Sequence, residues 1–419
     1  MRRGAAALVR IAMHEATARV AEDVARRSFG RLVAILAARG NDIAAAEDAL
    51  ADAFAAALTA WPRDGVPHNP EAWLLTAARR RVIDDARRTK ATLRMQPHVA
   101  LLHEEMAAQD IVPDRRLELM FACAHPAIDS AMRAPLILQT VLGFDASVIA
   151  SAFLVSPAAM AQRLVRAKSK IRLARIPFAV PALNERAARL DAVLAAIYAC
   201  FAEGWSDPAG AEPRRRGLAG EAIWLGRLVA MLLPDEPETK GLLALMLHAE
   251  SRRAARRTPD GRFVPLAAQD TGLWDRAMID EAEQILHEAA RHERPGRYQI
   301  EAAIQSAHAM RRHGDRPDWV AIGDLYFALQ GITQSPVVAL NRAVALAETH
   351  GADHALTALD AIADDPRLAD YQPYWATRGD LLARASRNEE ARDAYRRAIG
   401  LETDEAIRAF LQIRLAGLA

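Results

Sequence analysis

Residues Gly143–Arg172 read GFDASVIASAFLVSPAAMAQRLVRAKSKIR, and this stretch decides the fold. Asp145 is placed to cap a first helix that runs through Ile149, Ala150 and Phe153. Val155 and Ser156 make the turn. Ser156 caps a second helix, and Pro157 takes its first position, where a missing N–H costs nothing. In that second helix Met160, Leu164, Ala167 and Ile171 recur at intervals of four, three and four, giving one narrow apolar stripe. The opposite face carries Gln162, Arg166 and Ser169, with Arg163 and Lys170 on one flank and Lys168 and Arg172 on the other. No acidic residue lies between Ala158 and Arg175. Outward Gln and Arg reach base edges while flanking Lys and Arg neutralise phosphates, so the pattern is that of a helix-turn-helix set for a major groove.

A long chain surrounds this motif. Its 419 residues exceed one small domain, and its 52% hydrophobic content is mostly Ala and Leu with few β-branched alternations, which predicts an all-α protein. The formal net charge is +1, so any DNA binding rests on local patches. Cys123 and Cys200 lie far apart and build no disulfide framework; Cys123 and His125 lack a second ligand pair, so a buried structural thiol is expected. The N-terminus is broken by Arg10 and reads poorly as a signal peptide, and no apolar run reaches a membrane span. These features predict a cytoplasmic protein without membrane attachment.

Upstream, Gly40 ends one helix and Asn41-Asp42 start another, whose inward stripe is Ile43, Ala46, Leu50, Ala53, Phe54 and Ala57. Asp48 and Asp52 fall on its outer face, one turn apart. The segment Trp61–Asn69 reads as a loop with two prolines, a glycine and an aromatic. Asn69 caps a further helix, which buries Leu74, Leu75, Ala78, Val82 and Ala86 and projects Arg80 and Arg87. An aromatic loop beside a basic helix suits unstacked single-stranded DNA.

AEDALADAF (Ala46–Phe54), followed by Trp61, Pro62 and NPEAWLLTAARRRVIDDARR (Asn69–Arg88), resembles region 2 of extracytoplasmic-function (ECF) sigma factors. The helix-turn-helix resembles their region 4, and FACAHPAIDS (Phe121–Ser130) the start of region 4 in one subgroup. The resemblance implies that Asp48 and Asp52 dock on the β′ clamp helices of core RNA polymerase. Trp61, Asn69, Arg80 and Arg87 would hold the melted −10 element of promoter DNA. Ser156, Gln162, Arg163, Arg166, Ser169, Lys170 and Arg172 would read the −35 element. The sequence departs from the commoner pattern at Leu154, where a turn glycine is usual, and at Ala51, where Gln is often found.

The expected organisation is region 2 over 1–95, a linker over 96–114, region 4 over 115–178, a helical extension over 179–330 and repeats over 331–419. In the last part Trp375, Gly379, Ala391, Tyr395 and Ala398 take the spacing of a tetratricopeptide (TPR) unit. The segments AEGW (Ala202–Trp205), LGRLVAMLLPDEPETKGLLALMLHAESRRAAR, LAAQDTGLWDRAMI and RYQIEAAIQSAHA resemble the extension fused to a subgroup of ECF sigma factors. There, the resemblance implies, the extension contacts and regulates the sigma module in place of a membrane anti-sigma factor. Glu250, Asp270, Asp275, His287 and Tyr298 match no metal or nucleophile spacing, so neither catalytic residues nor a cofactor is expected. The Arg252–Arg257 run, RRAARR, reads as a solvated helix face. Two other readings stand beside this one: a helix-turn-helix regulator with a TPR-like partner domain that never joins polymerase, and an enzyme within 180–330 carrying a DNA-binding arm.

Overall fold

Helical periodicity runs through the chain and becomes helices almost everywhere it was expected. The computed structural model describes residues 2–91, 113–153, 155–205, 217–314 and 316–418. Among these residues the only β-pairing is an isolated bridge between Arg257 and Phe263, so the fold is all-α. No described helix is long and apolar enough to cross a membrane. The chain divides into two compact units, Met1–Glu203 and Gly204–Ala419.

In the first unit α1 (Arg2–Gly40), α2 (Ile43–Asp64) and α3 (Pro70–Ala91) pack together. The stripe expected on α2 is present: Ile43, Ala46, Leu50, Ala53 and Ala57 are buried. Ser28 and Arg31 of α1 both engage the carboxylate of Glu71 at the start of α3. Most of the linker expected at 96–114 lies outside the described residues. Then follow α4 (Arg116–Cys123), α5 (Ser130–Thr140), α6 (Ala146–Ala152) and α7 (Pro157–Leu173). Helix α1 meets the end of α5 so closely that a Cβ on Gly30 would sit 2.0 Å from the Val141 carbonyl oxygen. Gly143 takes φ +73° in the turn after α5 and lies against the ring of Phe29. The two halves of this unit are thus packed directly on each other. Cys123 is buried 3.4 Å from the Thr140 hydroxyl, and burial pushes its thiol up to about 12. Cys200 is buried likewise, so both thiols stay protonated and inert. The break expected after Phe178 does not end the unit, because α8 (Leu183–Trp205) begins there and Arg189 donates to the Phe121 carbonyl 2.7 Å away.

The second unit comprises α9 (Leu218–Leu232), α10 (Pro237–Glu250), α11 (Arg276–Ala290), α12 (Arg297–Ala309), α13 (Trp319–Thr333), α14 (Pro336–His350), α15 (Ala352–Asp360), α16 (Gln372–Arg384), α17 (Asn388–Leu401) and α18 (Glu405–Ala416). Helix α10 is buried along most of its length, which matches the unbroken apolar run Gly241–Leu247 at its centre. The Glu238 carboxylate accepts the first free N–H groups of α12, from Tyr298 and Gln299. The TPR signature forms as read: Gly379 on α16 leaves room for the Tyr395 ring of α17, which would lie 3.0 Å from any added Cβ. Ala391 and Ala398 are buried beside it.

The RRAARR run is not a solvated helix face. It forms a turn and a short 3-10 helix, Arg253–Arg256, that folds back on the protein. Arg256 donates to the Trp205 carbonyl at 2.8 Å, and its guanidinium lies 4.1 Å from the centre of the Trp205 ring. Arg253 pairs with Glu250 at 2.6 Å, and Arg257 with Asp404. Asp270 and Asp275, which match no metal or nucleophile spacing, serve as caps and accept the N–H groups of Gly272 and Met278.

Candidate nucleic-acid interface

The helix-turn-helix is built by local chemistry. The Asp145 carboxylate accepts the Ser147 N–H at 3.0 Å, and Ser156 accepts the Ala159 N–H at 3.3 Å ahead of Pro157. Met160, Leu164, Ala167 and Ile171 are buried, as the stripe required. Leu154, where the turn departs from the usual glycine, lies outside the described residues.

On the open face Gln162, Arg163, Arg166 and Lys170 are exposed and Ser169 is half-buried. Among the described residues no carboxylate bonds to Arg163, Arg166 or Lys170, so this face presents a net positive charge to solvent, with Asp129 nearby as the cap of α5. Arg163, Arg166 and Lys170 also border a cleft of about 470 Å³ against the start of α5.

The other flank of α7 behaves differently. Lys168 is nearly buried and ion-paired with Glu47 of α2. Arg172 reaches Asp42 at 3.1 Å, while the second oxygen of that carboxylate caps α2 through the Ala45 N–H at 3.2 Å. Burial pushes the Glu47 carboxyl above its ordinary range, and the Lys168 ammonium pulls it back down. Arg172, expected on DNA, is therefore held by region 42–47 of its own chain. Lys168 follows Leu164 by four residues, so it sits at the edge of the apolar stripe. Reading that stripe one position wider would have placed Lys168 at the packed edge, without naming Glu47 as its partner.

On α2, Asp48 is exposed without an ion-pair partner among the described residues, and Asp52 meets Arg81 of α3 at 2.7 Å. Both side chains of that pair are about half exposed, so the contact contributes little and leaves the face acidic and accessible. Ala51 is exposed between them.

Trp61 requires a correction. It lies within α2 rather than in a loop, is 1% exposed, and stacks edge-on against Trp73 with ring centres 5.6 Å apart. Pro62 suggested a helix end, but the helix continues to Asp64 and stops at Gly65, whose N–H returns to the Trp61 carbonyl. A base cannot stack on Trp61 in this arrangement. The open loop shrinks to residues 65–69. Asn69 accepts the Ala72 N–H at 3.1 Å as the cap of α3. Arg80 is exposed; the side chain of Arg87 lies outside the described residues. Beside the loop is a cleft of about 540 Å³ lined by His68, Asn69 and Glu71 together with Val20, Val24 and Arg27 of α1. Arg27 and His68 were not singled out from sequence, since nothing local joins α1 to a loop some forty positions on.

Residues 24–92 match the family of sigma-70 region 2, spanning α2, α3 and the second part of α1. Residues 189–290 match a family of unknown function, DUF6596, and residues 297–419 a tetratricopeptide repeat-like domain. An uncharacterized protein of Rhizobium meliloti (strain 1021) is 41% identical over 382 residues, covering 89% of this chain and 90% of its own length. No solved structure matches the chain.

Proposed function

The chain belongs to the family of that Rhizobium meliloti protein and carries a match to sigma-70 region 2, which supports a sigma-70 family factor, and from this premise we propose that it is an ECF-type sigma factor directing core RNA polymerase to specific promoters. The observation that carries the finer reading is the open face of α7, where Gln162, Arg163, Arg166 and Lys170 are exposed with no ion pair among the described residues, the nearby Asp129 being engaged as the cap of α5. That face reads the −35 element in a major groove. The loop at residues 65–69, the cleft beside His68 and Asn69, and Arg80 take the melted −10 strand, with a base entering the cleft rather than stacking on Trp61. Asp48 and Asp52 supply the acidic face that meets the β′ clamp helices. The helical extension controls this activity. RNA synthesis itself belongs to the polymerase, and the chain needs no cofactor.

The two DNA elements lie about 25 base pairs apart, roughly 85 Å at 3.4 Å per pair. Here α7 is tied to α2 by Lys168–Glu47 and Arg172–Asp42. A single 22-residue helix such as α2 is only about 33 Å long. Promoter engagement therefore requires these two pairs to break, and the structure fits a resting form.

Reversing Asp48 and Asp52 to Lys in the full chain tests the polymerase arm. Strongly reduced capture of core polymerase, with helical content unchanged, supports the sigma reading. Wild-type and variant chains that both ignore core polymerase yet bind duplex DNA would favour the free-standing regulator.

A further inference from the structure

Within the second unit a cleft of about 440 Å³ opens between α12, α13, α14 and the 266–267 turn, a volume suited to a small molecule. Its polar lining is His308, Arg311, Tyr326, Asn341 and Glu348; its walls are Trp319, Leu266, Pro317 and Val344. The Trp319 ring stands edge-on to His308 with centres 5.4 Å apart.

The charge balance of this cleft is unusual. The Arg311 guanidinium is fixed by three backbone carbonyls, those of Leu266, Ala267 and Gln269, and lies over Trp274. Arg252, half-buried behind the cleft, donates to the Gln305 side chain. Carbonyls and an amide orient a guanidinium but carry no opposite charge, and among the described residues neither arginine has an ion-pair partner. The nearby acids are engaged elsewhere: Glu348 at the rim binds Arg384 at 2.7 Å, and Glu301 binds Arg297 at 2.7 Å. His308 adds no charge at neutral pH, since burial and then Arg252 and Arg311 hold it down to about 4. Tyr326, pushed up to about 12 by burial, remains a neutral hydroxyl. His308, Tyr326 and Asn341 make no side-chain hydrogen bond among the described residues. Arg311 thus lines a largely apolar cleft without a counter-charge, with Arg252 close enough to act on His308 and Tyr326 and with three uncommitted hydrogen-bonding groups.

We propose that this cleft binds a small aromatic carboxylate. The carboxylate supplies the missing counter-charge to Arg311, with Arg252 behind it, and accepts hydrogen bonds from Tyr326 and Asn341. The ring lies along Trp319, Pro317 and Val344, where a larger polyanion would leave apolar surface unfilled. This assignment does not depend on the sigma reading.

The test uses the full chain with benzoate and indole-3-carboxylate as probes and benzamide as the neutral isostere, followed by calorimetry and thermal shift. At least one carboxylate binds in the millimolar range or tighter, and benzamide binds about tenfold more weakly or worse. Asn341→Asp places a competing carboxylate in the cleft, and Val344→Phe fills it; whichever variant keeps the wild-type melting temperature loses carboxylate binding. The proposal is overturned if neither carboxylate binds at millimolar concentration, if benzamide binds as well as benzoate, or if a folded variant binds unchanged.

Discussion

Two basic runs in this chain look alike in composition and meet opposite fates. RLVRAKSKIR (Arg163–Arg172) lies on a straight α-helix, whose period sorts Leu164, Ala167 and Ile171 inward and Arg163, Arg166 and Lys170 outward. RRAARR (Arg252–Arg257) lies on a turn and a 3-10 helix, where that sorting is lost and each guanidinium finds an acceptor in the protein. Charge in the first run is available to a partner. In the second it holds the fold together. Net charge and residue count cannot separate these cases; the length and regularity of the helix beneath them can.

The largest expected effect concerns how the second unit tolerates charge. His248, 1% exposed, is held down to about 3 by burial and then by Arg252 and Arg312, against the opposing pull of the Glu283 carboxylate 3.6 Å away, and His308 is held down to about 4. Burial is the first cause for both, with neighbouring arginines adding to it. The unfolded chain binds protons near pH 6.5 that the folded chain refuses. Each histidine therefore contributes stability that is fully present above 6.5 and lost as pH falls toward 3–4, on the order of 3 kcal/mol or more apiece. Unfolding of the full chain followed from pH 7.5 to 4.5 should show this loss. A His248→Gln, His308→Gln double variant should flatten the part between 6.5 and 5, where carboxylates contribute least. An unchanged slope would mean the neighbouring arginines move away on acidification.

Next comes a paired truncation. Arg256→Ala removes a charged hydrogen bond and the contact with the Trp205 ring, so it should cost roughly 2–4 kcal/mol of stability. Arg166→Ala should leave stability within about 0.5 kcal/mol yet weaken promoter binding by about 1–3 kcal/mol if it contacts a base bidentately. Equal melting temperatures for the two variants would erase the contrast between the runs. The smallest effect is expected at the junction of the two behaviours. Arg172, paired with Asp42 but 55% exposed, should cost under about 1 kcal/mol when changed to Ala, and less in high salt. A larger loss would make that pair a true clasp between α2 and α7.

What could be read from the sequence follows the same division. Ser156-Pro157, the spacing of Met160 to Ile171, and the Gly379–Tyr395 pairing are local signals, and each produced the expected element. Two of the misread residues have neighbours from far along the chain, and the third was misplaced because α2 tolerates Pro62 in its last turn. Lys168 meets Glu47, Trp61 is buried against Trp73 beneath a helix that runs past Pro62, and Arg256 lies on Trp205. The clefts at His68 and at His308 also draw on separate helices, so no window of sequence contained either one. Capping and periodicity are short-range physics; ion pairing and cavities depend on tertiary approach.

The most direct measurement is in vitro transcription from a genomic promoter library with purified core RNA polymerase and the full chain, run beside Arg166→Ala. A sigma factor with α7 as its −35 reader gives promoter-specific transcripts that fall, or lose preference at one −35 position, in the variant. No transcripts together with no binding to core polymerase would contradict that function, and specific transcripts indifferent to Arg166 would remove it from the reading face.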